Sequence, residues 1–185
     1  RNFTGILETL DRRKYKPWFF YYPSGSDLDQ LADMFYRIFL SGRTIPVGEM
    51  PMAIVAHSMG GLVVREALNK YQNRKDENRV RLFISIATPF GGHPAASAGE
   101  KYGTMVLPSW RDVNPENGFI KKLLRKPLPE TVQHHLLYTY HNPVTIKVLD
   151  NNDGVVPIAS QLIPSVQEQA YRQFGFNSGH SEILN

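Results

Sequence analysis

Residues 52–61, Met-Ala-Ile-Val-Ala-His-Ser-Met-Gly-Gly, constrain this chain more tightly than any other stretch. An apolar run stops at His57-Ser58, Gly60 and Gly61 follow, and helix-like periodicity begins at Leu62. That order reads as a strand, a sharp turn and a helix, with a serine at the tip. Serine is a weak nucleophile, so an enzyme that uses it must hold it exposed, beside a base and near oxyanion donors. A strand-to-helix elbow does this, and its crowding demands small residues two positions either side of the serine. Ala56 and Gly60 hold those positions, Ala56 being one methyl larger than glycine. A purely structural Ser-Gly turn has the same local pattern, so the rest of the chain must decide between them.

An acid and a histidine follow in order. Residues 144–149, Val-Thr-Ile-Lys-Val-Leu, read as a strand that runs into the polar turn Asp150-Asn151-Asn152-Asp153-Gly154. Residues 170–176 read as another, ending in Asn177-Ser178-Gly179-His180. Ser58, an acid at 150 or 153, and His180 then lie on loops beyond strand ends, where open α/β sheets bind ligands. The rival histidines are placed otherwise. His57 is expected to point away from the site, His93 lies in a Gly-Gly-His-Pro turn, and His134 and His135 lie in a long connection. His141 falls just before the strand expected at 144–149, and none of these follows the acid.

Three blocks carry a family resemblance: Ala56-His57-Ser58-Met59-Gly60-Gly61, Asp153-Gly154-Val155-Val156-Pro157 and Gly179-His180-Ser181. They resemble the catalytic blocks of α/β-hydrolase lipases and esterases, in the style of bacterial triacylglycerol lipases and GPI inositol-deacylase-like lipases. Thr88-Pro89-Phe90-Gly91-Gly92 resembles a turn of the same group. The resemblance implies a mostly parallel sheet flanked by helices, with a cap or lid insertion at about 89–142. It implies Ser58 as nucleophile, Asp153 rather than Asp150 as acid, and His180 as base. The backbone N–H of Met59 would be one oxyanion donor, in an elbow formed with Ala56, His57 and Gly60. The second donor belongs, by the same resemblance, to a loop after a first core strand, both expected to precede Arg1. The implied activity is cleavage of carboxylic esters, including lipids, through an acyl-enzyme, with no cofactor. The alternatives are an acyltransferase or amidase on the same residues, or a non-catalytic lipid-binding homologue.

The chain has 185 residues, enough for a single domain over 1–185, which we expect to be truncated at both ends. Its net charge of +4 comes without a basic-aromatic array, which gives no sign of nucleic-acid binding. Cysteine is absent, which excludes disulfides, thiolate catalysis and cysteine-type zinc sites. No metal site is expected. No apolar run approaches the roughly 20 residues that span a bilayer, and no signal peptide is visible. Compartment and oligomeric state stay open.

Coarse periodicity completes the reading. Phe3, Ile6, Leu7 and Leu10 mark a helix near 2–13, and residues 18–22 form an aromatic run expected to be a strand. Ser26 is expected to cap a helix with Leu28, Leu31, Ala32 and Phe35 on its apolar face, ended by Gly42. Residues 80–87 read as a buried strand. Strands alternating with helices imply a parallel sheet with right-handed crossovers. Within the insertion, Phe119, Ile120, Leu123 and Leu124 share a helix face flanked by Lys121, Lys122, Arg125 and Lys126. Such a helix either meets a lipid surface transiently or packs its apolar face inward.

Overall fold

Among the described residues four parallel strands form the sheet, in the order β1-β2-β3-β4. They are β1 (Met52–His57), β2 (Val80–Ile86), β3 (Gln133–Tyr140) and β4 (Arg172–Asn177). The structure, a computed structural model, describes residues 3–44, 50–71, 79–97, 107–141 and 151–185, with only the backbone of Tyr71. The strand expected at 144–149 lies outside them, as does Asp150.

Helices cover both faces. On one side α2 (Leu28–Phe35), α3 (Met59–Tyr71) and the helix Gly118–Leu123 enclose the main core with Ile54, Ala56, Phe83 and Leu136. On the other, Phe3 beside α1 (Thr4–Thr9) and the 3-10 turn Glu182–Leu184 pack near Val55, Ile84, Ile86 and Leu137. Strand alternation explains the division: Ile54 and Ala56 point one way, Val55 the other.

Three sequence expectations are corrected. Residues 18–22 have no regular secondary structure: Phe20 and Tyr22 pack on the core and Tyr21 is exposed, but they form no strand. From Phe19 to Tyr22 exposed and core-packed side chains alternate, and among the described residues no neighbour supplies the ladder a strand needs. The cap of α2 is Asp27, whose carboxylate accepts from the N–H of Gln30 at 2.9 Å, not Ser26. Finally, β3 lies inside the stretch 89–142 that was assigned to an insertion. His134 and His135 are therefore on a sheet strand and not in a cap. Gln133-His134-His135 hid the strand because buried histidine breaks the apolar pattern by which strands are read.

The helix Gly118–Leu123 sends its apolar face inward: Phe119, Ile120 and Leu123 are all buried. Lys121 and Lys122 face outward, and Lys122 pairs with Asp29 at 3.0 Å.

Candidate active site

One residue turns β1 into α3. Ser58 does so with φ of +54°, a left-handed conformation that serine adopts at a cost of order 1–3 kcal/mol. Two hydrogen bonds hold the turn. The Ser58 N–H donates to the carbonyl of Ile86 at 2.8 Å, and its carbonyl accepts from Gly61 N–H at 3.0 Å. Packing explains the small residues. A Cβ on Gly60 would lie 3.9 Å from the Ala56 methyl and 3.3 Å from the Tyr22 hydroxyl. A Cβ on Gly61 would meet Thr88 Oγ1 at 2.0 Å, so Gly61 is the more strictly required of the two.

Asp153 lies on a loop tied to the end of β3, where His141 N–H donates to Asn152 at 2.9 Å. Its carboxylate is buried, at 2% exposure, and satisfied on both oxygens. Oδ1 accepts from the N–H groups of Val155 and Val156 at 3.0 and 2.7 Å. Oδ2 accepts from Thr139 Oγ1 at 2.6 Å and Gln161 Nε2 at 3.3 Å. Burial pushes the Asp153 pKa up, but the hydrogen bonds from His180, Thr139 and Val156 outweigh it and bring it below the ordinary value. Asp153 is therefore ionised near neutral pH.

His180 follows β4 and bridges the other two. Its Nδ1 lies 2.8 Å from Asp153 Oδ2 and its Nε2 lies 2.9 Å from Ser58 Oγ. An ionised carboxylate only accepts, so Nδ1 carries the hydrogen and Nε2 presents its lone pair to the serine hydroxyl. A histidine held so can take a proton from Ser58 while the carboxylate stabilises the resulting cation.

The chain resembles known proteins in both sequence and shape. A family model for lecithin:cholesterol acyltransferase matches residues 42–114, which contain the Ser58 elbow and the Thr88 turn. The mature lipase BlEst2 of Bacillus licheniformis superposes with a TM-score of 0.59 at 15% identity, over 86% of this chain and 69% of that one. Phospholipase PlaB of Legionella pneumophila gives 0.62 at 15% identity, over 79% and 36% of the two chains. The metagenomic carboxyl esterase MGS0156 gives 0.62 at 18% identity, over 84% and 51%. The chain has the α/β-hydrolase fold. No curated protein matches it in sequence. It spans about a third of PlaB's length and about half of the esterase's.

Within this α/β-hydrolase fold, Ser58, Asp153 and His180 meet at the carboxyl ends of β1, β3 and β4. Met59 is the first residue of α3, so its N–H is among those a helix start leaves without an intrahelical partner. Among the described residues, no three or more His, Asp or Glu gather as metal ligands would.

The other histidines find different partners. His93 Nε2 donates to the carbonyl of Val155 at 2.6 Å and so braces the acid loop. His134 is buried between Phe83 and Phe90, with Nε2 at 2.8 Å from Ser85 Oγ. His57 does not point away as expected: its ring centroid lies 4.6 Å from that of His180.

Two supporting residues went unnoticed in the sequence. Gln161, fully buried, accepts from Thr139 N–H at 2.9 Å and donates to Thr139 O at 3.1 Å, which aims Thr139 at Asp153. Neither residue has a local signal that sets it apart. Their roles arise because the short helix Ile158–Gln161 packs on β3.

Proposed function

We propose that this chain forms the catalytic core of a serine hydrolase acting on carboxylic esters, with Ser58 as nucleophile, His180 as base and Asp153 as acid. The observation that carries the reading is the hydrogen-bonded series Ser58 Oγ–His180–Asp153, with its serine on a left-handed elbow. The names of the similar proteins, a lipase, a phospholipase, a carboxyl esterase and an acyltransferase family, support an ester of a lipid or related acyl compound.

In this reading Ser58 Oγ attacks the ester carbonyl as its proton passes to Nε2 of His180. The carbonyl π pair moves onto oxygen, where the N–H of Met59 donates to it. Asp153 holds the imidazole in register and stabilises the imidazolium. His180 returns the proton to the departing alcohol, leaving acyl-Ser58. Water then loses a proton to His180 and attacks the acyl carbon; as the acyl–Oγ bond breaks, His180 returns that proton to Ser58 Oγ, and the carboxylic acid is released.

A fluorophosphonate probe tests the assignment: it labels Ser58, and Ser58→Ala removes the label. Labelling that survives the substitution defeats it. An acyltransferase is the second reading, favoured by the name of the matching family model. Transfer of the acyl group to an added alcohol in preference to water would select it. A protein that takes no label and turns over no ester from acetyl to palmitoyl is instead a non-catalytic homologue.

A further inference from the structure

His57 takes no part in the proton path, yet it is built against it. It is the last residue of β1 and the residue before Ser58. Its Nε2 lies 2.7 Å from the backbone carbonyl of His180, and the two rings are tilted at 46°. A carbonyl oxygen only accepts, so Nε2 of His57 carries the hydrogen and donates it.

The consequence is that the backbone of the base is held from both sides. The N–H of His180 donates to the carbonyl of Asp153 at 2.9 Å, and its carbonyl accepts from His57. One bond ties the base to the acid loop. The other ties it to the strand that carries the nucleophile. The titratable groups facing His57 are His180 and Asp153. Burial, then the charge of His180, lowers the pKa of His57, against the pull of its hydrogen bond to the His180 backbone and of Asp153. Both effects favour the neutral form of His57 beside the His180 ring.

We infer that His57 is a positioning residue. Its Nε2–H, held on the carbonyl of His180, fixes the base loop to the nucleophile strand and keeps the His180 ring in reach of Ser58 Oγ. This rests on the reading of Ser58, His180 and Asp153 as the catalytic residues. It explains why the elbow carries a histidine where its geometry asks only for a residue that fits.

Two substitutions test it in the whole protein. His57→Leu removes the donor, and His57→Gln keeps an amide N–H near the place of Nε2. Three readouts are taken: kcat and KM on an ester, the rate of fluorophosphonate labelling, and the low-field proton resonance of His180 Nδ1–H. Loss of one modest hydrogen bond implies a fall in kcat of about five- to tenfold in His57→Leu. KM stays within about twofold, because the interaction acts on the reacting geometry and not on uniform binding. Labelling slows in step with kcat, the Nδ1–H resonance broadens, and His57→Gln restores most of each. If His57→Leu does not fold, His57→Asn, whose amide reaches only as far as Nδ1, replaces it.

An unchanged kcat and resonance in His57→Leu overturns the inference. So does a His57→Gln variant as impaired as His57→Leu. If the unsubstituted protein takes no label, the hydrolase reading fails, and the resonance alone then decides. Broadening that Gln repairs supports the hold of His57 on His180, and no broadening refutes it.

Discussion

Gly61, in the first turn of α3, lies so close to Thr88 that a Cβ on it would stand 2.0 Å from Oγ1 and 2.6 Å from Cγ2. Thr88 is fully buried and has nowhere to go. Gly61→Ala therefore overpacks the elbow, and it should destabilise the fold by about 1–3 kcal/mol even though alanine favours helix. Gly60→Ala meets its neighbours only at 3.3 Å and beyond and should cost less. Urea unfolding of the two variants gives the comparison. Equal losses would mean that the contact with Thr88 is not what selects Gly61.

Thr139→Val keeps the shape of a fully buried side chain and deletes the donor 2.6 Å from Asp153 Oδ2. A hydrogen bond to a charged group is worth about 1.5–3 kcal/mol, and that is the expected loss at pH 7. The loss should shrink in acid. Asp153 has a lowered pKa, so its contribution to stability is present above the ordinary carboxylate value of 3.8 and disappears as pH falls through the lower folded value. Unfolding curves for both proteins at pH 7 and in acid provide the measurement. A gap that widens on acidification would contradict the assignment of Thr139 to the ionised carboxylate.

His134 should make stability depend on pH from the opposite kind of group. Burial, followed by the charges of Arg65 and His135, lowers its pKa from 6.5 to about 3. The unfolded chain takes up this proton near pH 6.5 and the folded chain only near pH 3. Stability is therefore full above the upper value and falls as pH drops between the two, with a slope of up to about 1.4 kcal/mol per pH unit. His57 and His135 are shifted the same way and add to it. His134→Gln retains a partner for Ser85 and cannot titrate, so its unfolding midpoint should vary less between pH 7 and pH 4. Identical slopes would show that His134 accepts its proton while folded.

Leu123 has no exposed surface, although its helix is fringed with lysines. Leu123→Ala should cost about 2–5 kcal/mol through the cavity it leaves. Lys121→Ala, on the exposed side, should stay within about 0.5 kcal/mol. A Leu123→Ala variant as stable as the parent would mean that this face is free to meet something other than the core.

The elbow was legible because its causes are local. A strand that turns into a helix in one residue forces φ positive at Ser58, and the crowding that follows excludes large neighbours. The order of Ser58, Asp153 and His180 along the chain was legible too, as were the apolar runs of β1 and β2, while β4 offered only Phe174 and Phe176. Where the reading failed, the cause was long range. Residues 18–22 form an aromatic run that reads as a strand, but a strand exists only when another segment pairs with it. β3 looked like part of an insertion because Gln133-His134-His135 is polar in sequence, while Ser85, Phe83 and Phe90 make a buried place for His134.

By itself the sequence determined the parallel α/β architecture and the loops on which Ser58 and His180 stand, since periodicity and turn chemistry are properties of neighbouring residues. The tertiary structure alone decided how those loops meet. The bonds from His180 to Ser58 and Asp153 close over 122 and 27 residues. It also decided that Thr139, Gln161 and His57 stand around them. A buried carboxylate needs donors, and a histidine carried on a loop needs an anchor. Which residues supply these depends on the strands and helices that happen to pack there, and nothing in the local sequence records that.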